Sequence, residues 1–407
     1  MLFRSMPGLV VPYDFTMRLP ERMGLATPWE QEDALKTLAQ MNGRVVRTWN
    51  LPMRGPTEPP QPWHYVLGPG QFNEKAFVTI DHLLALANKH RIRVILCLSA
   101  DAGDYLGGIG TYAAHRGKKR AEFWTDAQLK EDYKATVRFV LGRTNTVSRI
   151  PYRDDKAILA WQYGNEMHTA TTNWLSELAA YMKGLDPNHL VAETRHRPGP
   201  AHLIDPNIDI LTRHYYTSYG KVGDDWAAAC RAEIESIRGQ RPFFVGEFGP
   251  YVDGKGWTAD GTPAKLRGFL DSCIGMDGMS GALLWSMYFH HRNGGYYWHQ
   301  IFTFPSVWSY HWPGFPSAHA QAEIGIMREM REAAFRIQGL PVPPVPVPEP
   351  PELLKFDGVP MFSWRGSAGA SGYDIERAPA VAGPWTRLAE NVSDADIAYR
   401  PDRKSVV

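Results

Sequence analysis

Short apolar runs alternate with helical patterns along most of the chain, and this alternation constrains the fold more than any other feature. Each run is rich in β-branched and aromatic side chains and is apolar on both faces, as are strands of a parallel sheet covered on both sides. The clear runs lie at residues 44–49, 93–99, 157–163, 189–193, 208–215, 243–248 and 281–287. A further strand fits only within residues 2–11, where Pro7 interrupts the pattern.

The helical segments begin with recognisable caps. Thr27 precedes Pro28 and is followed three residues later by Glu30, which is the pattern of a capping box. Thr125 starts a second such pattern over residues 125–128. Strand–helix units repeated over this length predict a (β/α)8 barrel, a member of the α/β class. The alternative is an open, doubly wound sheet, but no glycine-rich phosphate-binding motif follows the first strand, so we favour the barrel.

A proline-rich stretch ends the periodic region. Seven prolines lie between Pro341 and Pro351, a composition that predicts a semi-rigid polyproline II spacer. We therefore expect a barrel domain over residues 1–339, a linker over 340–352 and a separate β module over 353–407.

Short alternating strands are expected in that last module, at residues 361–364, 373–376 and 385–388. The segment FSWRGSAGASGYDIER resembles the opening half of a fibronectin type III-like sandwich. The residues that remain are too few for a sandwich of about 100 residues, so the resemblance implies a partial module. We expect this tail to be either poorly ordered or pressed against the barrel.

Composition excludes several classes of protein. Lys and Arg number 44 and Asp and Glu number 43, so the charge of +1 does not favour nucleic-acid binding. No apolar run approaches the roughly 18 residues of a membrane helix. The odd number of cysteines, Cys97, Cys230 and Cys273, excludes a disulfide scaffold. The N-terminal residues do not form a signal peptide, so we expect either an intracellular protein or a chain whose leader has been removed.

Charged side chains collect where the predicted strands end, which is the face of a barrel where active sites form. Glu166 ends the fourth strand and Glu247 the seventh, so both are expected to point into one opening. Glycosidic cleavage needs two converging carboxylates, one to protonate the departing oxygen and one to meet the developing oxocarbenium ion. The alternative is a pair of structural glutamates bound to Arg47 or Arg195. We favour the catalytic pair because both glutamates lie at strand ends.

These motifs resemble those of glycoside hydrolase family 5. The segment AWQYGNE, with Asn165 and Glu166, resembles the acid/base motif of that family, and FVGEFG, with Glu247, resembles its nucleophile motif. The segments RVVRTW, DYLGG and GLDPNHLV are most similar to the endo-β-mannanase branch. The histidine that many members carry after the third strand is replaced by Ser99-Ala100-Asp101, which weakens a cellulase interpretation.

The resemblance implies a retaining double displacement. Glu247 would attack the anomeric carbon, while Glu166 would act first as the acid and then as the base, and an ionised Glu247 is expected to raise the proton affinity of Glu166. We expect Arg47 and Tyr216 to hold Glu247 ionised. The expected substrate-binding residues are Arg47, Trp49, Asn165, His214, Tyr216 and Trp285.

Among these substrate-binding residues, Asn165 is expected to bind the sugar 2-hydroxyl, His214 to orient Glu166 or Tyr216, and Trp285 to stack on a sugar face. Weaker candidates for further stacking positions are Trp49, Tyr105, Trp298 and Trp308.

Two long segments, residues 50–71 and 288–316, are expected to wall the cleft. His290, His291 and Arg292 in the second are candidates to close one end and favour terminal sugars. A metal site of His290, His291, His299 and His311 is less favoured, because carboxylates at ligand spacing are absent.

The sequence thus predicts a secreted, monomeric glycosidase without metal or cofactor that cleaves β-1,4-linked polysaccharide or oligosaccharide, with mannan or glucomannan as the first choice. An exo-β-mannosidase or a β-1,4-glucanase of the same family is the alternative. A non-catalytic glycan-binding barrel and a metal-dependent hydrolase are less favoured.

Overall fold

The computed structural model describes residues 3–5, 10–12, 23–101, 106–193, 195, 205–216, 225–237, 240–250, 257–297, 310–315, 322–354 and 362–394. Its centre is an eight-stranded sheet in which every pair of neighbours is parallel. The strands are β1 (Phe3–Ser5), β2 (Val45–Arg47), β3 (Arg93–Cys97), β4 (Ile158–Gln162), β5 (Leu190–Val191), β6 (Leu211–Tyr216), β7 (Phe243–Gly249) and β8 (Met279–Leu284).

The sheet closes on itself. Strand β1 pairs with both β2 and β8, and a parallel bridge between Ala192 and Ile210 joins the end of β5 to the start of β6. This ring confirms the predicted (β/α)8 barrel, and the open-sheet alternative is wrong. The first strand lies within residues 2–11, as predicted.

Helices surround the barrel. They are α1 (Pro28–Gln40), α2 (Glu74–His90), α3 (Ile109–His115), α4 (Ala127–Leu141), α5 (Thr172–Leu185), α6 (Trp226–Ile237), α7 (Thr262–Ile274) and α8 (Glu323–Arg336). Two short antiparallel pairs, Val10–Pro12 with Met23–Leu25 and Val66–Gly68 with Gln71–Phe72, and two 3₁₀ turns, Arg120–Trp124 and Tyr152–Asp154, complete the barrel region.

The core has two layers, as a barrel requires. Inside the ring, one side chain from each of several strands forms a small apolar plug: Val45, Ile95, Ala160, Ala192, Ile210, Phe244 and Leu283. A much larger apolar cluster fills the space between the strands and the helices. The plug closes the barrel below the carboxyl ends of the strands, so that the polar side chains described below lie above it.

The predicted caps are partly correct. Thr27 and Glu30 form the expected capping box at the start of α1, with the Thr27 N–H donating to Glu30 Oε2 over 2.7 Å. Helix α4 begins one residue later than predicted, because Asp126 rather than Thr125 accepts the hydrogen bond from the N–H of Leu129.

The tail packs against the barrel. It consists of β9 (Glu352–Leu353) paired with β10 (Trp364–Arg365), and β11 (Tyr373–Arg377) paired with β12 (Thr386–Val392). Residues 340–351 form neither helix nor strand and are exposed. Of the two outcomes expected for the tail, the structure gives the docked one. The division into domains at residues 339 and 352 stays a prediction.

No helix within the described residues is both long enough and apolar enough to cross a membrane.

Candidate active site

The barrel strands carry polar side chains to one end of the ring. Arg47 ends β2, Gln162 ends β4, and His214 and Tyr216 lie near the end of β6. Glu247 lies near the end of β7, next to Gly246. A Cβ atom on Gly246 would lie 2.2 Å from Thr212 Oγ1 and 2.7 Å from His214 Nε2, so only glycine lets β7 approach β6 this closely.

Glu247 is buried and both of its carboxylate oxygens are hydrogen-bonded. Arg47 Nη1 donates to Oε1 over 2.8 Å, and Tyr216 Oη donates to Oε2 over 2.5 Å. Charge-assisted hydrogen bonds of this kind stabilise an ionised carboxylate and fix its orientation. The structure thus brings Arg47 and Tyr216 to Glu247, as expected.

Arg47 connects three parts of the site. It is fully buried, and besides Glu247 it donates from Nη2 to Asn165 Oδ1 over 2.7 Å and from Nε to Gln162 Oε1 over 2.6 Å. Gln162 in turn donates to the carbonyl of Glu193. Sequence reasoning missed Gln162, although its place at the end of β4 is a usable signal.

Glu166 lies in the loop after β4, in a backbone conformation that few non-glycine residues adopt. Its φ is +48°, in the left-handed region, and the N–H of His168 donates to its carbonyl over 2.5 Å. Asp101 anchors the loop from behind, because its Oδ2 accepts hydrogen bonds from the N–H and the hydroxyl of Thr169, each over 2.8 Å. This turn directs the Glu166 side chain toward β6 and β7.

Two histidines contact the carboxylate of Glu166. Nδ1 of His214 lies 2.7 Å from Oε1, and Nε2 of His168 lies 3.4 Å from Oε2. Burial raises the pKa of Glu166, but the contacts with His168 and His214 outweigh it and hold that pKa well below its usual range. The expected effect of the Glu247 charge on the proton affinity of Glu166 stays a prediction. Sequence reasoning missed His168, which no strand-end argument reaches.

The two glutamates meet. A carboxylate oxygen of each and a ring nitrogen of His214 all lie within 4.8 Å of one another. Nδ1 of His214 is also 3.6 Å from Glu247 Oε2, so this histidine lies between the two acids. These two oxygens lie closer together than the roughly 6.5–9.5 Å that separates the carboxyl groups of inverting glycosidases.

Two tryptophans and one amide lie beside the glutamates. The rings of Trp49 and Trp285 pack with their centroids 4.9 Å apart. Among the described residues, Nδ2 of Asn165 and Nε1 of Trp49 have no hydrogen-bond acceptor although they are buried. An unpaired buried donor in a polar site is a ready contact for a ligand oxygen.

The carboxylates and His214 do not form an open metal site. The guanidinium of Arg47 lies against Glu247, where its positive charge disfavours a bound cation. Hydrogen bonds already engage the oxygens of Glu247 and Nδ1 of His214. The chemistry of this set fits acid–base and nucleophilic work better than metal binding.

The histidines of the segment after β8 serve the fold. His290 lies between Asp33 and Asp394, at 2.9 and 3.3 Å, and His311 pairs with Glu323 at 2.9 Å. These carboxylates come from other parts of the chain, and His290 and His311 lie in different pairs rather than in one cluster. Arg292 binds Glu30 at the start of α1 instead of closing the groove.

Several predicted residues lie outside the described part of the chain. They are Tyr105, Trp298, His299 and Trp308. Arg195 is described, but its side chain donates to the carbonyl of Ala170 rather than to either glutamate.

A closed (β/α)8 barrel that joins two buried carboxylates at the carboxyl ends of its strands has the architecture of a barrel glycoside hydrolase. Residues 30–218 match a family model described as GH family 5 beta-mannosidase-like. This match spans a little under half of the chain, and over these residues the chain is similar to glycoside hydrolase family 5.

Curated relatives and solved structures are also similar to this chain. A mannan endo-1,4-beta-mannosidase 4 from Solanum lycopersicum is 28% identical over 286 residues, which cover 60% of this chain and 70% of the relative. A mannan endo-1,4-beta-mannosidase 1 from Oryza sativa is 29% identical, over 62% of this chain and 64% of the relative. The endo-beta-1,4-mannanase from Thermotoga petrophila shares the fold, with a TM-score of 0.63, 20% identity, and coverage of 87% of this chain and 80% of that one.

Proposed function

We propose that this protein is a retaining β-1,4-mannanase that cleaves mannan or glucomannan chains internally, with Glu247 as nucleophile and Glu166 as acid and base. The observation that carries the proposal is the meeting of the two glutamates within 4.8 Å at the carboxyl ends of the barrel strands. The names of the curated relatives support mannan as the substrate.

In the first step Glu247 attacks the anomeric carbon and forms a glycosyl ester, while Glu166 gives its proton to the departing sugar oxygen. Arg47 and Tyr216 hold the attacking carboxylate in place. In the second step Glu166 takes a proton from water, and that water cleaves the ester with overall retention of configuration.

Substrate contacts follow from the unused groups beside the acids. The free Nδ2 of Asn165 is suited to donate to the 2-hydroxyl of the sugar at the point of cleavage, because Arg47 already holds the other end of this amide. Trp285 and its neighbour Trp49 offer a hydrophobic face for a sugar ring.

The nucleophile assignment is tested with Glu247→Ala and sodium azide on an aryl β-mannoside with a good leaving group. We expect the variant to lose hydrolysis and to form the α-mannosyl azide, because azide then occupies the place of the missing carboxylate. The matched control is Glu166→Ala, which should form the β-azide through an intact Glu247. Wild-type rates in Glu247→Ala would contradict the assignment.

Substrate and mode of attack are tested with a panel of mannan, glucomannan, cellulose, xyloglucan and aryl glycosides, with product lengths resolved. Internal cleavage of mannan to short oligomers supports the proposal. Release of single mannose units instead indicates an exo-β-mannosidase, and cleavage of cellulose alone indicates a glucanase. Binding without cleavage indicates a glycan-binding barrel.

We further propose that the protein works outside the cell. We also propose that it works as a monomer, because cleavage of a polymeric substrate requires no partner subunit. Light scattering of the full chain tests the second point, and the location of the native gene product tests the first.

A further inference from the structure

The carboxylate of Glu166 lies between two histidines that differ in their exposure. His214 has a side chain only 1% exposed and contacts Oε1, whereas His168 has a side chain 35% exposed and contacts Oε2. One oxygen of the acid is thus closed inside the barrel, and the other faces the side that solvent reaches.

A departing sugar can therefore approach Glu166 only at Oε2. Oε1 is covered by His214, which β6 holds rigidly and which also lies 3.6 Å from Glu247. His168 stands at Oε2, in the loop just after Glu166, and its side chain is partly exposed to solvent.

Among the described residues, other charged groups of the site are already engaged. Arg47 and Tyr216 bind Glu247 from β2 and β6, and Asp101, behind the loop, is bound by Thr169 and Arg120. The balance between the protonated and the ionised acid is therefore left chiefly to His214, His168 and the charge of Glu247.

We propose that His168 is a positioning residue that keeps Glu166 ionised until the leaving sugar takes its place at Oε2. This inference rests on the proposed function of Glu166 as the acid. A protonated imidazole beside a carboxylate favours the ionised form, so its displacement by an uncharged sugar raises the proton affinity of Glu166. The acid then takes up a proton from solvent when a substrate is present to receive it.

The pH dependence of kcat and of kcat/KM tests this role of His168. The basic limb of kcat/KM reports the acid in the free enzyme, whereas that of kcat reports it in the substrate complex. In the wild type we expect the kcat limb to lie at higher pH than the kcat/KM limb, because His168 contacts Oε2 only in the free enzyme.

The test compares His168→Ala with His168→Gln on a manno-oligosaccharide. Removing the imidazole should move the basic limb of kcat/KM to higher pH, so that the basic limbs of kcat and kcat/KM converge. At pH values well above the optimum, kcat/KM relative to its maximum should then rise roughly tenfold. Glutamine, a neutral donor, should give a smaller shift. A dinitrophenyl β-mannobioside, whose leaving group needs no acid, should show no shift in either variant.

The matched control is His90→Gln. His90 lies 3.2 Å from Glu32 on the outside of the barrel, so it offers the same pair of groups away from the site, and its loss should leave both limbs in place. Coincident kcat/KM limbs in wild type and His168→Ala, or equal losses on both substrates, would overturn the role of His168 while leaving the proposed function intact. If the wild type cleaves none of the panel, the proposed function fails and the inference fails with it.

Discussion

Arg47 is the residue that holds the charges of the site together. Its three donors reach Glu247, Asn165 and Gln162, which come from two different strands and the loop after one of them. A guanidinium provides this fork in one plane, whereas an ammonium provides only a point charge. The side chain is fully buried, so no solvent can replace a lost contact.

We therefore expect Arg47→Lys to lower kcat/KM by roughly a hundredfold or more while the barrel stays folded. The variant keeps the positive charge but loses the fork, so Asn165 is freed and Glu247 is held by fewer donors. Steady-state kinetics and circular dichroism measure the two effects. Arg44→Lys is the control and should retain normal kinetics, because the Arg44 side chain lies on the same segment but, within the described residues, donates to Asn42 and not to the site. Equal kinetics in the two variants would contradict the role of the fork.

At the residue scale, the sequence predicts the position of a site side chain only where the residue lies on a strand. Glu247, His214 and Tyr216 lie on strands that the apolar runs predict, although the register between β6 and β7 shifts between Arg213 and His214. Glu166 lies in the loop after β4 rather than at the end of the strand, and its φ of +48° is set by tertiary contacts that a strand pattern does not contain. His168 reaches the acid only because of that turn, and for this reason its contact is invisible in the sequence.

At the scale of elements, the loop after β4 depends on an anchor from β3. Asp101 follows β3 and binds Thr169 through two hydrogen bonds, while its other oxygen accepts from Arg120 over 2.6 Å. The anchor therefore fixes the far end of the turn that carries Glu166 and His168.

We expect Asp101→Ala to lower kcat roughly tenfold, because the acid is no longer held within a fraction of an ångström of its working position. KM should change little, since the sugar contacts remain. Arg120→Ala removes the partly exposed ion pair with Asp101 and keeps both bonds to Thr169, so its effect on kcat should be small. If Arg120→Ala proves as damaging as Asp101→Ala, the ion pair rather than the Thr169 anchor positions the loop.

The apolar runs predicted the strands well because burial on both faces leaves a clear signal. They overestimated the length of some strands: residues 189–193 contain only the two-residue strand β5, because pairing and not hydrophobicity sets where a strand ends. The cap of α4 lies one residue later than predicted, because the carboxylate of Asp126 rather than the hydroxyl of Thr125 accepts the capping hydrogen bond.

At the scale of the whole molecule, the tail is fixed to the barrel through the segment after β8. His290 of that segment lies between Asp33 on α1 and Asp394 in the tail, and all three side chains are buried. Arg365 on β10 donates to the carbonyl of Arg292, whose own side chain binds Glu30. The sequence could only leave the tail's docking open, because these contacts join residues more than 70 positions apart.

The contact at His290 predicts a stability that depends on pH. Burial lowers the pKa of His290, but Asp33 and Asp394 outweigh it and raise that pKa to about 9 from the ordinary 6.5. Other ionisable groups near it, Tyr296 and Tyr373, are neutral in this range. A raised histidine pKa contributes stability in full below 6.5, and the contribution is lost as the pH rises through about 9.

We therefore expect the free energy of unfolding to fall by on the order of 2–3 kcal/mol between pH 6.5 and 9.5, as judged by urea denaturation of the full chain. In His290→Gln this dependence on pH should largely vanish, because the imidazole that loses its proton in the wild type is absent. Lys36→Ala, which removes the exposed ion pair between α1 and Glu349 of the linker, should keep the wild-type slope. Proteolysis of the tail should accelerate over the same pH interval in the wild type and in Lys36→Ala. A slope in His290→Gln equal to that of the wild type would mean that a group other than His290 causes the pH dependence and that His290 is a neutral packing residue.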